Sequence, residues 1–385
     1  MQQRVLYQVA KHLGQSKLVR FYLWEPPGDV QLERNPLNVS RLSFTIATVN
    51  RIMEPDMLDT VTEIAPSILK LQFEIPYDVQ PVNIYVLDGE PLTLIDTGPI
   101  MRGVEKRIPA KLEELGFPPS RLERIILTHH HPDHMGLAAR LKSASGAELT
   151  CHRLGERMVS DYWADSDRLN EFLVDISPRM GLDRDLVEVT ISKTSQWKDV
   201  AEPVPVDTLV DDGDVIRGDP FDLKVIHTPG HCIDHICLYL ESHRLLFTGD
   251  VLLDSITPNP DVYPPWHSNQ RSGLPDYVSS LHKIRELDMV EALPGHGKCV
   301  EAPAKRIEEV LRHHDDRLEY IVETLGDTEM TVLELGLELL RFIGANEDAE
   351  SIFLAMREVF GHLVILEDRG EVTDELRDGV SYYHT

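Results

Sequence analysis

The amino-acid sequence predicts an α/β layered domain that is preceded by an extension and followed by a helical module. Between residues 61 and 303, short apolar strand segments alternate with helical segments. Residues 1–60 lack these short strands, and residues 304–385 show three long helical patterns followed by a hairpin signal. These observations divide the chain into residues 1–60, 61–303 and 304–385.

The composition is that of a soluble globular protein with a sizeable core. The 385 residues are 42% hydrophobic and 27% charged. No window approaches the roughly 18 apolar residues of a membrane span, and the first residues lack the apolar stretch of a secretory signal. The four cysteines form no CxxC pair; they are Cys151, Cys232, Cys237 and Cys299. We therefore expect a protein of the reducing cytoplasm, without disulfides and without a membrane contact.

The formal net charge of −27 bears on the partners of the protein. A field of this sign repels nucleic acid at long range and disfavours a nuclease. It does not exclude one, because a local metal centre can hold a phosphate against the global field. A small-molecule substrate is therefore favoured over nucleic acid.

The N-terminal extension is nearly neutral, with seven Lys/Arg and six Asp/Glu in residues 1–60. Val5, Leu6, Val9 and Leu13 can share one face of a helix. We interpret the extension as a packing or dimerisation arm, so that a homodimer is the assembly considered. The alternative is a contribution to the mouth of the active site.

Strand segments open the α/β domain. Leu69–Phe73 alternates apolar and polar residues, and Asn83–Leu87 and Leu92–Ile95 flank the hairpin signal Asp88-Gly89. The further predicted elements are a helix at about 104–115, a strand at 125–127, a helical stretch at about 154–186 and strands at 223–226 and 245–247. Together they predict layers of helices on sheets.

The C-terminal module is acidic, with eight Lys/Arg and twenty Asp/Glu in residues 304–385. Its predicted helices are Arg306–Leu325, Thr331–Phe342 and Ala349–Asp368, and Asp378-Gly379 marks a terminal hairpin. This order is typical of a winged-helix-like domain. The third helix lacks the basic face that would contact DNA phosphates, so we interpret the module as a packing or dimerisation element.

The run Thr128–His134 is the most informative stretch of the chain. Its pattern is His-x-His-x-Asp-His, and it follows the apolar strand Ile125–Leu127 and precedes a helix start at Gly136. Neutral imidazole and carboxylate are ligands of zinc, and iron or manganese also accept them. A strand-to-helix turn can direct alternate side chains into one pocket. The alternative is a histidine-rich surface turn that binds no metal.

Four further islands extend the pattern, and each follows an apolar run. They are Asp96-Thr97-Gly98, His227-Thr228-Pro229-Gly230-His231, Thr248-Gly249-Asp250 and Pro294-Gly295-His296-Gly297. Each island alone is a weak signal, because a single His after Pro-Gly is usually a turn residue. Their joint occurrence after strand segments favours a shared metal site.

Together these residues resemble the signature of the metallo-β-lactamase superfamily over about Thr62–Pro303. The resemblance implies an αββα sandwich with a two-metal site at one edge. It implies that the first metal is bound by His129, His131 and His231, the second by Asp133, His134 and His296, and that Asp250 bridges them. Asp96 matches the first motif of the family.

Departures from the family patterns narrow this resemblance. Cys232 lies beside His231 and not at a ligand position, and flavodiiron members usually have Glu where His131 stands. His231-Cys232-Ile233-Asp234-His235 differs from the His-Ser-x-Gly form of glyoxalase II. His362-Leu363-x-x-Leu366 resembles the winged-helix domain of a subgroup that includes thioesterase-like hydrolases and the β-lactamase-like 2 endoribonuclease.

The resemblance implies a mechanism based on two divalent metal ions, for which zinc is favoured and iron or manganese are alternatives. A metal-bridging hydroxide would attack an acyl or phosphodiester centre. We predict that Asp133 and Asp250 are catalytic, with Asp133 orienting the hydroxide. Asp96 is expected to hold the metal-site loops, His235 to support the site or fill the core, and His130 to pack or be exposed.

Substrate choice must come from other segments. Arg153–Trp197 is rich in aromatic and Met residues and fits a lid, and Thr257–Gln270 is expected to rim the pocket. Ordinary packing is the alternative for both. The leading hypothesis is a hydrolase of a small ester, thioester or lactone. A metal-dependent ribonuclease or phosphodiesterase is the second hypothesis, and a non-catalytic binding or assembly protein is the third.

Overall fold

The computed structural model describes residues 59–75, 80–101, 103–182, 187 and 195–385. The chain divides into two compact units, Met1–Asp56 and Met57–Thr385. The interpretation of residues 1–60 as an arm lies almost entirely outside the described residues. Part of the predicted lid, residues 183–186 and 188–194, also lies outside them.

The first sheet has its strands in sequence order from β1 to β7. They are β1 (Thr60–Ala65), β2 (Ile68–Phe73), β3 (Val82–Leu87), β4 (Thr93–Ile95), β5 (Arg124–Ile126), β6 (Glu148–His152) and β7 (Thr208–Val210). The pairs from β1 to β4 are antiparallel, and those from β4 to β7 are parallel. The parallel half brings the carboxyl ends of β4 and β5 to the same edge.

The second sheet has the order β12-β11-β10-β9-β8. Its strands are β8 (Val215–Ile216), β9 (Leu223–His227), β10 (Ile236–Leu240), β11 (Leu245–Gly249) and β12 (Glu291–Pro294). β12 runs parallel to β11, so the ends of both strands point the same way. Bridges join the two sheets at Val82 and His296 and at Glu90 and Asp219.

The helices of the described part lie outside the two sheets or follow them. They are α1 (Val104–Glu114), α2 (Pro132–Met135), α3 (Ala138–Ser145), α4 (Glu156–Ser160), α5 (Tyr162–Ile176), α6 (Leu274–Arg285), α7 (Pro303–Leu325), α8 (Val332–Ile343) and α9 (Ala349–Asp368). A terminal hairpin pairs β13 (Thr373–Arg377) with β14 (Val380–His384). The predicted C-terminal helices and hairpin lie at these positions within a few residues.

Three apolar layers show how the sheets and helices stack. Ile126 of the first sheet and Phe247 of the second belong to the core between the sheets. Ile108 of α1 packs in the core outside the first sheet, and Tyr277 of α6 packs outside the second. Each such fully buried side chain contributes about 1.5–3 kcal/mol relative to exposure. The layer order is αββα, which confirms the predicted fold class.

The C-terminal helices have their own apolar core and also contact the second sheet. Ile307 at the start of α7 belongs to the core under α6, whereas Leu325 at its end packs with α8 and α9. The Thr331 side chain and Glu334 form a capping box that begins α8. Asp348 caps α9 by accepting from backbone N–H groups. The winged-helix assignment and the domain boundaries stay predictions.

In the described residues, no helix is long and apolar enough to cross a membrane.

Candidate active site

The predicted site residues lie where strands end at one edge of the sandwich. Asp96 follows β4, the His run follows β5, and His296 follows β12. The Asn83 side chain of β3 donates to the Pro294 carbonyl over 2.8 Å and so joins the two sheets beside the site. Local apolar runs form the strands, and the Pro and Gly residues after them turn the chain back toward this edge.

The structure brings all seven predicted metal-site residues together in overlapping groups. Within each group, one donor atom of each residue lies within 4.8 Å of the donor atoms of the others. The groups are His129, His131 and His231; Asp133, His134 and His296; and His129, His134 and Asp250. The first two groups are the two ligand sets that the resemblance implied.

Thr128 fixes the orientation of the His129 ring. The Thr128 hydroxyl lies 2.8 Å from Asp96 Oδ2 and 3.0 Å from His129 Nδ1. The hydroxyl has one hydrogen, and the ionised carboxylate can only accept it. His129 Nδ1–H therefore donates to Thr128 Oγ1, and Nε2 keeps its lone pair. This nitrogen is buried and has no hydrogen-bond partner among the described residues.

Backbone carbonyls fix two further rings in the same way. Nδ1 of His231 lies 3.2 Å from the Asn259 carbonyl oxygen, and Nδ1 of His296 lies 3.0 Å from that of Gln80. A carbonyl can only accept, so each Nδ1 carries the hydrogen and each Nε2 has a lone pair. Within the described part of the chain, the buried Nε2 of His231 has no hydrogen-bond partner.

The Asp96 carboxylate accepts hydrogen bonds from two parts of the site. It accepts from the backbone N–H of Thr128 over 2.8 Å and from Nδ1 of His134 over 2.9 Å. Its φ of 58° lies in the left-handed region, which Asp tolerates better than most residues. This carboxylate thus directs Nε2 of His134 into the site, in the supporting role that the sequence predicted.

The Asp250 carboxylate lies between the two groups. Its Oδ2 is 3.6 Å from Nε2 of both His231 and His296, and its Oδ1 is 3.5 Å from Nε2 of His134. Oδ1 is buried without a hydrogen-bond partner in the described regions. Asp250 therefore faces donor nitrogens of both groups at once.

His235 positions Asp250 and is not available as a ligand. The backbone N–H of Asp250 donates to His235 Nε2 over 3.0 Å, and His235 Nδ1–H donates to the Thr228 hydroxyl over 2.8 Å. Both ring nitrogens are therefore used. The sequence left support and core packing open for His235; the ring is fully buried and supports the Asp250 turn.

The electrostatics of the site favour a bound cation. Burial lowers the pKa of His129 and His231, and both stay neutral as metal ligation requires. Burial opposes protonation of His134 too, but Asp250 and Asp133 raise its pKa well above the ordinary value. The same two carboxylates raise the pKa of His296 against burial. Without a metal, protons therefore supply the positive charge that the carboxylates require.

One pair in the site was missed by sequence reasoning. His130 Nδ1 lies 2.7 Å from Oδ1 of Asp234, and the two side chains are 13% and 1% exposed. This contact joins the turn that carries His129 and His131 to the turn that carries His231. The signal in the sequence was the acidic Asp234 after the apolar pair Cys232-Ile233, in a turn next to a predicted ligand. The sequence favours packing or exposure for His130; the ring is largely buried and in addition forms this pair with Asp234.

The described part of the predicted lid contacts the predicted rim loop. The rings of Phe172 in α5 and Trp266 in the loop are 5.6 Å apart, and the Arg168 guanidinium lies 3.9 Å from the Trp266 ring centroid. A cavity of about 300 Å³ lies between these segments and the C-terminal helices. Both predicted segments therefore line one half-open cavity.

Comparisons with known proteins agree with this geometry. The family model described as the metallo-beta-lactamase superfamily matches residues 77–296. The probable metallo-hydrolase YqjP of Bacillus subtilis is 28% identical over 328 residues, which are 83% of this chain and 98% of that protein. A beta-lactamase-like protein 2 homolog of Caenorhabditis elegans is 29% identical over 66% of this chain and 68% of its own length.

A solved structure shows the same fold over most of the chain. The crystal structure of a metallo-beta-lactamase family protein from Thermus thermophilus has a TM-score of 0.70 and 26% identity. The similarity covers 84% of this chain and 99% of that one. This chain thus belongs to the metallo-β-lactamase superfamily, because the family model spans more than half of its length. It is a metallo-hydrolase of that superfamily, whose members use divalent metal ions.

Proposed function

We propose that this protein is a binuclear metal-dependent hydrolase that acts on a small ester, thioester or lactone. One observation carries the proposal. The Asp250 carboxylate lies 3.5–3.6 Å from Nε2 atoms of His134, His231 and His296, which belong to two different donor groups. A carboxylate in this position can bridge two ions, as a two-metal site requires.

The donor set fits two divalent ions. In the proposal, one ion would be held by His129, His131 and His231, and the other by Asp133, His134 and His296. Asp250 would contact both ions. Imidazole nitrogens with carboxylate oxygens are typical zinc ligands, and iron or manganese accept the same set. Bound ions would supply a water of lowered pKa and a Lewis acid for the carbonyl oxygen.

Residues of the chain orient the reaction. The Asp133 side chain is 18% exposed, against 10% for Asp250 and 7% for His296, so it lies closer to solvent than these two side chains. One of its oxygens lies 3.2 Å from His296 Nε2, so the carboxylate is held beside the second donor group, where it would orient an attacking water. Asp250 lies deeper and would hold the two halves of the site at a constant separation.

The substrate class is inferred from the residues that line this cavity. Four of its lining residues are aromatic: Phe172, Tyr263, Phe360 and Tyr383. Tyr263 also packs against Ile233, two residues after His231, so one wall of the cavity adjoins a turn of the metal site. A cavity with four aromatic side chains suits a small acyl group, whereas a nucleic acid chain would require a long basic groove.

A substrate panel on the metal-loaded protein tests the proposal. Aryl esters, acyl thioesters and lactones are compared with bis(p-nitrophenyl) phosphate and RNA, in the wild type and in Asp133→Asn. We expect about two metal ions per chain and turnover of at least one acyl substrate that Asp133→Asn reduces at least 100-fold. Turnover of the phosphodiesters alone would replace the acyl proposal, and the absence of bound metal would overturn both.

A further inference from the structure

A second cluster of ligand-type side chains lies in the C-terminal helices, apart from the site above. His313 and His314 of α7 face Glu358 and His362 of α9, and we refer to these four residues as the α7–α9 cluster. His314 is 2% exposed and His362 is fully buried. The side chain of His313 is 39% exposed, so the cluster reaches the surface through this ring.

A chain of hydrogen bonds fixes the two buried rings. His362 Nδ1 lies 2.7 Å from the Glu358 carbonyl oxygen, so it donates and His362 Nε2 has a lone pair. His314 Nδ1 lies 3.2 Å from this Nε2 and therefore donates to it. The other nitrogen of His314, Nε2, is left as an acceptor. It is buried and has no partner in the described ranges.

The Glu358 side chain leaves a second acceptor unsatisfied. Oε1 of Glu358 is buried and, among the described residues, accepts no hydrogen bond. It lies 3.8 Å from His313 Nε2, 3.9 Å from His314 Nδ1 and 3.8 Å from His362 Nδ1. These distances exceed a hydrogen bond. The 3.8 Å to His313 Nε2 stays below about 4.2 Å, the largest separation of two ligands that each lie about 2.1 Å from one zinc ion.

We propose that the α7–α9 cluster binds a divalent transition-metal ion of the zinc type through His313, His314 and Glu358. A donor atom of each of these residues lies within 4.8 Å of the other two. Two imidazoles and one carboxylate select such an ion over calcium or magnesium, which prefer oxygen ligands. The exposed side of His313 leaves the fourth coordination position of the ion to water. His362 accepts a hydrogen bond from His314 Nδ1 and so fixes the orientation of the His314 ring.

The surroundings support a neutral-imidazole site in an acidic module. Burial lowers the pKa of His314 to about 3 against the effect of Glu358, and the neighbouring His362 and His313 rings add to this, so the ring is neutral near pH 7. Residues 304–385 carry twenty Asp/Glu against eight Lys/Arg, a field that attracts a cation. The ion would join α7 to α9, and its role would be to hold these helices together.

Zinc stoichiometry of the full chain tests this site. We compare the wild type with His313→Gln, Glu358→Gln and the control His282→Gln, which removes an exposed histidine of α6. His313→Gln changes a half-exposed position and should fold, so it remains decisive if Glu358→Gln does not. We expect one zinc ion fewer per chain in His313→Gln than in His282→Gln, with unchanged hydrolysis of the best acyl substrate.

The location of the ion is tested by zinc anomalous scattering from crystals of the wild type. We expect a peak between α7 and α9 that is absent from crystals of His313→Gln. Equal zinc content in the two histidine variants, or an ordered water without anomalous signal between the helices, would overturn the proposal. The comparison depends on a difference between variants, so failure of the binuclear site would not imitate either outcome.

Discussion

Nε2 of His134 and Nε2 of His296 lie 3.2 Å apart at the centre of the active site. Each ring carries a hydrogen on Nδ1, given to Asp96 or to the Gln80 carbonyl, so two lone pairs face each other when both rings are neutral. Two nitrogens on one tetrahedral zinc ion are separated by roughly 3.3 Å. The distance between these rings is therefore the one that a shared ion would require.

Metal removal should destabilise the protein, because the ions bind the folded state and not the unfolded chain. At a free metal concentration of about 100 times Kd, binding stabilises the fold by about 2.7 kcal/mol. We expect chelation to lower Tm by roughly 5–10 °C and added zinc to restore it. Differential scanning calorimetry with and without chelator measures the change. An unchanged Tm after verified metal loss would contradict the expectation.

Asp96→Asn should weaken binding of the metal ion at the group that contains His134 more than binding of the ion at the group that contains His131. Asn tolerates the positive φ of this position, so the variant tests the hydrogen bonds and not the backbone. It removes the negative charge that accepts from His134 Nδ1 and holds Nε2 in the site. Loss of such a supporting group typically reduces metal affinity about 10–100-fold.

Competitive chelator titration of Asp96→Asn gives both metal affinities. Asp88→Asn, on the turn after β3, is the control for removing one carboxylate outside the site. Excess zinc should restore much of the hydrolytic rate of Asp96→Asn if the loss lies in metal binding. If both ions bound more weakly by the same factor, Asp96 would support the whole site through Thr128 instead.

His235→Phe should show the effect of the hydrogen bond between His235 and the Asp250 N–H separately from the effect of metal binding. In the wild type, the Asp250 backbone N–H donates to His235 Nε2 over 3.0 Å. The variant keeps a ring in the core but removes this acceptor. A buried donor without a partner costs about 1–3 kcal/mol. We expect a free energy of unfolding lower by this amount in urea titrations of the metal-free protein, and a lower kcat when metal is restored.

A metal-free stability equal to that of the wild type would show that water replaces the His235 ring. His235→Gln is the matched variant, since its side-chain oxygen can accept from the same N–H. It should keep more of the stability than His235→Phe. The comparison assigns the loss to the hydrogen bond and not to the change in volume.

The strand-end islands made the grouping of the candidate ligands predictable from the sequence, whereas the hydrogen bonds that orient these side chains were not. An apolar run followed by a turn places His129, His231 and Asp250 at one edge regardless of tertiary detail. The acceptors of His231 and His296 are backbone carbonyls at Asn259 and Gln80, which any residue type can supply. Spacing contains no signal for such contacts.

The pairing of His130 with Asp234 was hidden for a related reason. The two residues are 104 positions apart, and their meeting depends on how the β5 and β9 turns approach each other. Fold class, helix positions and the terminal hairpin depend instead on local periodicity, which the sequence contains. The same limit applies to the α7–α9 cluster, because only the packing of α7 on α9 brings Glu358 to His313 and His314.

His152 should make the stability of the metal-free protein depend on pH. Burial and the neighbouring His227 lower its pKa to about 4, and its Nδ1 accepts from the Leu154 N–H over 3.4 Å. In the unfolded chain His152 binds a proton near pH 6.5, whereas in the folded protein it does so only near pH 4. Stability is therefore lost as the pH falls through this window, by about 2 kcal/mol for this group.

The pH effect is measured by urea unfolding of the wild type and His152→Asn between pH 7 and pH 4, with chelator present. Asn can still accept from the Leu154 N–H at this cap but does not titrate, so its free energy of unfolding should fall less steeply toward low pH. His282→Asn controls for the loss of an exposed histidine. Parallel curves for the wild type and His152→Asn would show that His152 binds its proton equally in the folded and unfolded chain, and that the stacked His227 ring does not oppose the charge.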